Sequence, residues 1–200
     1  MKFEPLDFSK LNESDVRGAI VEPLLRDLGY RSCTNNNIIR EQSLRYPRAF
    51  IGRKNQKKDP FLRGTADYIL EVNNNVRWVI EAKSPDVVIS AEEIEQAYTY
   101  ANHPEVRAVY FVIVNGREFR IFQTNQGPDA PPLLCCTYEQ LNQSSQELEN
   151  LLGPAALLRD HPRCQMDVGR PIGPGLRSVV RITNGHIVNT SNSLQLPTLN

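Results

Sequence analysis

Thirteen residues separate Asp67 from Glu81, and Asn73, Asn74 and Asn75 lie midway between them in the stretch GTADYILEVNNNVRWVIEAK. If the three asparagines form a three-residue loop, the stretch is one hairpin in which Val72 opposes Val76, Glu71 opposes Arg77, Tyr68 opposes Ile80, and Asp67 falls opposite Glu81. Side chains alternate along a strand, so Lys83 joins Glu81 on one face while Trp78, Ile80 and Ala82 point to the other. Directly opposed residues have Cβ atoms roughly 4.5–5.5 Å apart, and like charges placed so are destabilising without a counter-charge. A divalent cation would supply one. Carboxylates completed by water and substrate phosphate oxygens suit Mg²⁺. Taken alone, a strand end with three solvated charges and a Lys83 ion pair satisfies the same pattern.

The elements around the hairpin decide what those groups face. Asn12 or Ser14 can cap a first helix carrying Val16, Ile20, Leu24 and Leu28 and ending at Gly29, with Pro23 bending it and its turn at Glu22 facing the site. TNNNIIREQSL offers a short strand of unreadable register. Ser90 with Glu93 forms a capping box for AEEIEQAYTYA, which places Gln96 and Tyr100 four apart on one helix face. The apolar run AVYFVIV reads as a buried central strand that turns at Asn115-Gly116 into REFRIFQT, and LLCCTY as a last edge strand. Thr137 with Gln140 resembles a capping box for a helix carrying Leu141, Leu148, Leu151 and Leu152, closed by Gly153-Pro154. The alternation predicts an α/β fold, a central mixed β-sheet flanked by helices over residues 1–152. Residues 153–200 read as a C-terminal extension with a small β-hairpin turning at Asn184-Gly185.

Composition narrows the function class. The chain has 200 residues and zero net charge, enough for one domain with an appendage. It contains no run of eighteen apolar residues and no secretory signal pattern at MKFEPLDFSK, so a cytoplasmic protein without membrane contact is expected. Cys33, Cys135, Cys136 and Cys164 show no CxxC spacing, which argues against a zinc site or a disulfide framework. No GxxxxGK[ST] loop is present. The charges are segregated: residues 40–63 hold Arg40, Arg45, Arg48, Arg53, Lys54, Lys57, Lys58 and Arg63, and residues 64–100 hold Asp67, Glu71, Glu81, Asp86, Glu92, Glu93 and Glu95. A basic segment thus precedes an acidic site, the adjacency that phosphodiester chemistry uses. A polar loop with solvated bases is the plainer alternative.

Glu22 within VEPLLRDLGY, Asp67 within GTADYIL, Glu81-Ala82-Lys83 within VIEAKSP, Gln96 and Tyr100 within QAYTYA, and Asn115-Gly116 within VNGREFRIF together resemble the N-terminal nuclease domain of type I restriction enzyme R subunits. That domain belongs to the PD-(D/E)xK superfamily, with a RecB-like Q-x-x-x-Y, and the resemblance covers about residues 12 to 124. Ala66 stands where the superfamily has proline, and the translocating motor of those subunits has no counterpart in these residues.

The resemblance implies a PD-(D/E)xK core and a Mg²⁺-dependent endonuclease acting on DNA in restriction or anti-phage defence, with Mn²⁺ able to replace Mg²⁺. Asp67 and Glu81 would hold the metal with the Ala82 carbonyl, and Lys83 would orient the attacking water or stabilise charge on the phosphate. Glu22 would reach a metal-bound water or a second ion, and Gln96 and Tyr100 would bind DNA or position the site. Arg53, Lys54, Lys57 and Lys58 are candidates for backbone phosphate contacts. A separate motor, specificity or sensor protein is a candidate partner, and a dimer is compatible with the reading. The rival reading is a catalytically silent nuclease-fold module that binds nucleic acid or a partner protein.

Overall fold

The computed structural model describes residues 3–45 and 63–162. Arg53, Lys54, Lys57 and Lys58 and the expected C-terminal hairpin lie outside those residues. Six strands form one mixed sheet in sequence order: β1 (Asn36–Arg45), β2 (Arg63–Val72), β3 (Val76–Ala82), β4 (Tyr110–Val114), β5 (Glu118–Gln123) and β6 (Leu134–Thr137). All neighbours are antiparallel except β3 and β4. That parallel pair requires a crossover, supplied by helix α3 (Ala91–Ala101).

The central hairpin has the expected register, Val72 against Val76 through Tyr68 against Ile80. Its loop depends on asparagine: Asn73 and Asn74 adopt φ of 51° and 53°, a left-handed region that asparagine tolerates better than most residues. Alternation then sorts the faces. Trp78, Ile80 and Ala82 enter one apolar core with Val16, Ile20, Leu24 and Leu25, whereas Val79 enters a second core with Ala97 and Ala101 of α3. Glu81 and Lys83, in phase with Val79, therefore face the α3 side.

The first helix is capped by Asn12, whose side chain accepts from the Asp15 amide while Asp15 returns a bond to the Asn12 amide. It runs as α1 (Glu13–Val16), a π-helical turn (Arg17–Val21) and α2 (Glu22–Asp27). Pro23 accounts for the interruption, because it has no N–H for the carbonyl four residues back and its ring crowds that group. The Glu22 amide instead donates to the Arg17 carbonyl, five residues back. Gly29, at φ 87°, ends the helix as expected.

Two local expectations change. β1 is a ten-residue strand rather than a short one, paired with β2 from Asn36↔Val72 to Arg45↔Arg63. Its pairing skips Glu41, which has φ of 50° and stands at the level of Asp67. The Thr137–Gln140 box caps only a 3-10 turn (Tyr138–Gln140), and helix α4 starts later, at Ser145–Leu152. Gly153-Pro154 closes α4 but also opens α5 (Pro154–Asp160), because proline suits the first helical position. Leu157 of α5 is buried in the same core as Leu148 and Leu152 of α4. Among the described residues no helix is long and apolar enough to cross a membrane.

Candidate functional site

The hairpin ladder ends at Tyr68↔Ile80, and beyond it the Asp67 side chain takes over a backbone group: Oδ2 accepts from the Ala82 amide at 2.8 Å. Asp67 Oδ1 accepts from Arg17 Nη2 at 2.6 Å. One strand along, Glu81 Oε1 accepts from Lys83 Nζ at 2.9 Å, while Oε2 is buried with no hydrogen-bond partner. The structure thus brings Asp67, Glu81, Ala82 and Lys83 together at one end of the sheet, with both carboxylates buried. The Ala82 contact it shows runs through the amide N–H.

Burial governs the ionisation of this group. Desolvation raises the Asp67 carboxyl, partly offset by the Ala82 amide and Arg17. Desolvation, then the charge of Asp67, pushes Glu81 up to about 7. For Lys83 burial acts to lower the pKa, but the Glu81 hydrogen bond and charge outweigh it, and the net shift is upward. Lys83 is therefore an ammonium at neutral pH, suited to donate and to offset negative charge rather than to take a proton.

Lys83 is held from a second side. Its Nζ donates to Gln96 Oε1 at 2.8 Å, and Gln96 Nε2 donates to the Tyr100 hydroxyl at 3.0 Å. The four-residue spacing on α3 puts both on one face, and the chain Tyr100–Gln96–Lys83–Glu81 is continuous. Tyr100 lies on the backbone of Gly64 in β2, where a Cβ would stand 2.5 Å from the tyrosine Cε1. Gly64→Ala is expected to push the ring aside and lower the rate of any reaction that uses Lys83 by about tenfold, within the range for displaced catalytic groups. Tyr100→Phe, which removes the acceptor for Gln96 but keeps the ring, should cost less than Gly64→Ala. Unchanged rates in both variants, with melting temperatures near wild type, would remove Tyr100 from the positioning chain.

Glu22 pairs with Arg40, and no contact with Asp67, Glu81 or Lys83 is seen for it among the described residues. Its carboxylate accepts from Arg40 Nε at 3.2 Å and Nη2 at 3.1 Å, an exposed pair between α2 and β1. The helix side chains that do meet the site are Glu13 and Arg17: Arg17 Nη2 lies 2.5 Å from Glu13 and 2.6 Å from Asp67. Sequence reasoning passed over both. Their signal was present as an i,i+4 acid–base pair just inside a capped N-terminus, but which helical turn meets Asp67 depends on the π-turn.

Among the described residues no three His, Cys, Asp or Glu side chains gather so that they could hold a metal by themselves. A cation here would rest on two carboxylates, with water and substrate oxygens completing the shell, as Mg²⁺ commonly does. The hard-oxygen donors and the unpartnered, buried Glu81 Oε2 fit such an ion.

No protein-family model matches this chain, and no curated protein matches it. Among solved structures it is similar to a fragment from Vibrio vulnificus YJ016 assigned as the HsdR subunit of a type I restriction enzyme, at 23% identity and a TM-score of 0.43. The match covers 58% of this chain and 22% of that one, and is too slight to bear on the site.

Proposed function

We propose that this chain is a Mg²⁺-dependent endonuclease that hydrolyses phosphodiester bonds of DNA through Asp67, Glu81 and Lys83. The observation that carries the reading is the buried, unpartnered Glu81 Oε2 beside Asp67: two carboxylates are held in low dielectric with one oxygen left open, at the same sheet end as an ammonium. Such an arrangement disfavours its own charged state unless a cation joins it.

A divalent cation, when bound, supplies Lewis acidity toward a phosphoryl oxygen and acidifies water. Asp67 and Glu81 are the residues to hold it. Lys83, kept charged and aimed by Glu81 and Gln96, offsets negative charge growing on the phosphate. Gln96 and Tyr100 act as positioning residues through Lys83. DNA as the substrate, and restriction or anti-phage defence with a motor, specificity or sensor protein as partner, rest on the motif resemblance and on the basic segment of residues 40–63. Arg53, Lys54, Lys57 and Lys58 of that segment are proposed backbone contacts.

A silent nuclease-fold module is favoured by one feature, the Arg17 guanidinium on Asp67 Oδ1. Incubating plasmid with the protein in Mg²⁺, Mn²⁺ or chelator separates the two. The endonuclease cuts only with the divalent ion, and Asp67→Ala and Lys83→Ala lose the activity; cutting that survives both changes excludes this site. DNA binding without cutting under any divalent ion establishes the module.

A further inference from the structure

Arg17 is claimed by three carboxylates at once: Nη2 contacts Glu13 at 2.5 Å and Asp67 at 2.6 Å, and Nη1 lies 3.5 Å from Glu41. The same pose leaves Arg17 Nε buried without an acceptor. Each partner comes from a different place: Glu13 lies one helical turn before Arg17, Asp67 is on β2, and Glu41 sits at the left-handed residue of β1 that interrupts pairing at the level of Asp67. Arg17 itself opens the π-turn, where the helix departs from its regular bonding. A guanidinium so placed is, among the described residues, the cation in direct contact with Asp67, Glu13 and Glu41. Lys83 serves Glu81 instead.

We propose that Arg17 is an internal counter-ion that a divalent cation displaces from Asp67, and that its released guanidinium then binds the phosphodiester to be cut. The inference rests on the nuclease reading. Asp67 Oδ2 accepts from the Ala82 amide, which fixes the strand end, and the Arg17 guanidinium occupies Oδ1, so a cation held by Asp67 would compete with Arg17 for this carboxylate. Two positive charges on one carboxylate oxygen repel strongly in a site of low dielectric. Arg17 is the mobile member of the pair. Its side chain is long and 25% exposed against 9% for Asp67, and an outward move gives up the Asp67 bond while the more exposed Glu13 and Glu41 stay within reach and the buried Nε gains access to solvent. A planar guanidinium beside the site is well shaped for two phosphate oxygens, while the Asp67 carboxylate it leaves would be neutralised by the ion.

The test uses the whole chain and two substitutions. Mg²⁺ binding is measured by calorimetry without DNA on wild type, Arg17→Gln and Arg17→Lys, followed by steady-state cleavage of a duplex at saturating Mg²⁺ over a range of salt. Arg17→Gln should bind Mg²⁺ about fivefold or more tightly, yet cleave with kcat/KM lowered about tenfold and with a log–log salt slope smaller by about one, the change expected for one lost phosphate contact. Arg17→Lys, which keeps the charge, should stay near wild type in Mg²⁺ affinity. Equal or weaker Mg²⁺ binding by Arg17→Gln overturns the proposal, as does a lysine variant that behaves like the glutamine one. Tighter Mg²⁺ binding with unchanged kcat/KM and slope overturns the phosphate role. If wild type and Arg17→Gln both take up no Mg²⁺, the nuclease reading falls as well; if both bind it equally, only the displacement does.

Discussion

Asp67→Asn is expected to abolish Mg²⁺ uptake and to lower cleavage by more than about 1,000-fold, whereas Lys83→Ala keeps Mg²⁺ uptake and loses about 100- to 1,000-fold, the range seen when one donor to a developing charge is removed. The two substitutions separate because the two groups have different partners. Asparagine keeps an oxygen that can accept from the Ala82 amide, so the end of β3 stays in place while the charge that would hold the cation is gone. Alanine at Asp67 would also leave that amide without its acceptor, a further cost of about 1–3 kcal/mol that confuses folding with chemistry. Lys83 contacts Glu81 and Gln96 and has no bond to Asp67, so its removal leaves the carboxylate pair standing. Calorimetry for Mg²⁺ and a plasmid-nicking time course measure the two effects. Retained cleavage in Asp67→Asn, or lost Mg²⁺ uptake in Lys83→Ala, would reverse the assigned roles.

What was legible in the sequence follows from how local each determinant is. The hairpin register could be read because a three-asparagine loop fixes which residues face each other, and the period of two then fixes the faces. The α3 cap, the buried strand β4 and the turn after it could be read for the same reason, each being set within a few residues, whereas the parallel pairing of β4 with β3 joins residues 32 positions apart and was not read. β1 could not. Its pairing with β2 joins residues 18 to 36 positions apart, with the intervening segment carrying no periodic signal, and nothing nearby announces the break at Glu41. That Glu13, which sequence reasoning passed over, contacts the Arg17 held by Asp67 has a related cause. Pro23 signalled a disturbance, but the carbonyls it disturbs belong to the preceding turn, and the resulting π-turn changes which face of the helix meets Asp67. Arg40, brought beside Glu22 by β1, then gives that glutamate a partner on the outer surface. The link from Tyr100 to Lys83 was half visible: the spacing put Gln96 and Tyr100 on one face, while the contact between Tyr100 and Gly64 needs the β2 backbone in place.

Glu81→Gln should make the metal-free protein more stable at pH 8, by up to about 2 kcal/mol. Glu81 has a folded-state pKa of about 7 against an ordinary 4.5, so the folded chain holds that proton more tightly than the unfolded chain does. The sign follows directly. Between those values the native state binds more protons than the unfolded state, so the stability linked to Glu81 is fully present below about pH 4.5 and is lost as pH rises through about 7. The difference of about 2.5 units corresponds to about 3 kcal/mol at 1.36 kcal/mol per unit. Glutamine keeps an oxygen for Lys83 Nζ and fills the space of the carboxylate, so it removes the penalty of the charge, while its buried NH2, placed where Oε2 has no partner, takes back about 1–3 kcal/mol of the gain. Urea midpoints of wild type and Glu81→Gln, measured from pH 4 to pH 9 in chelator, test this: the wild-type curve declines between pH 4.5 and 7 relative to that of the variant. A wild-type curve parallel to that of the variant would mean that burial does not hold Glu81 toward its protonated form. Mg²⁺ then provides a second readout with the opposite sign. Added at pH 8, it restores stability to wild type by about 2.7 kcal/mol at one hundred times its dissociation constant, and does much less for Glu81→Gln, because the carboxylate that burial strains is the one the cation relieves.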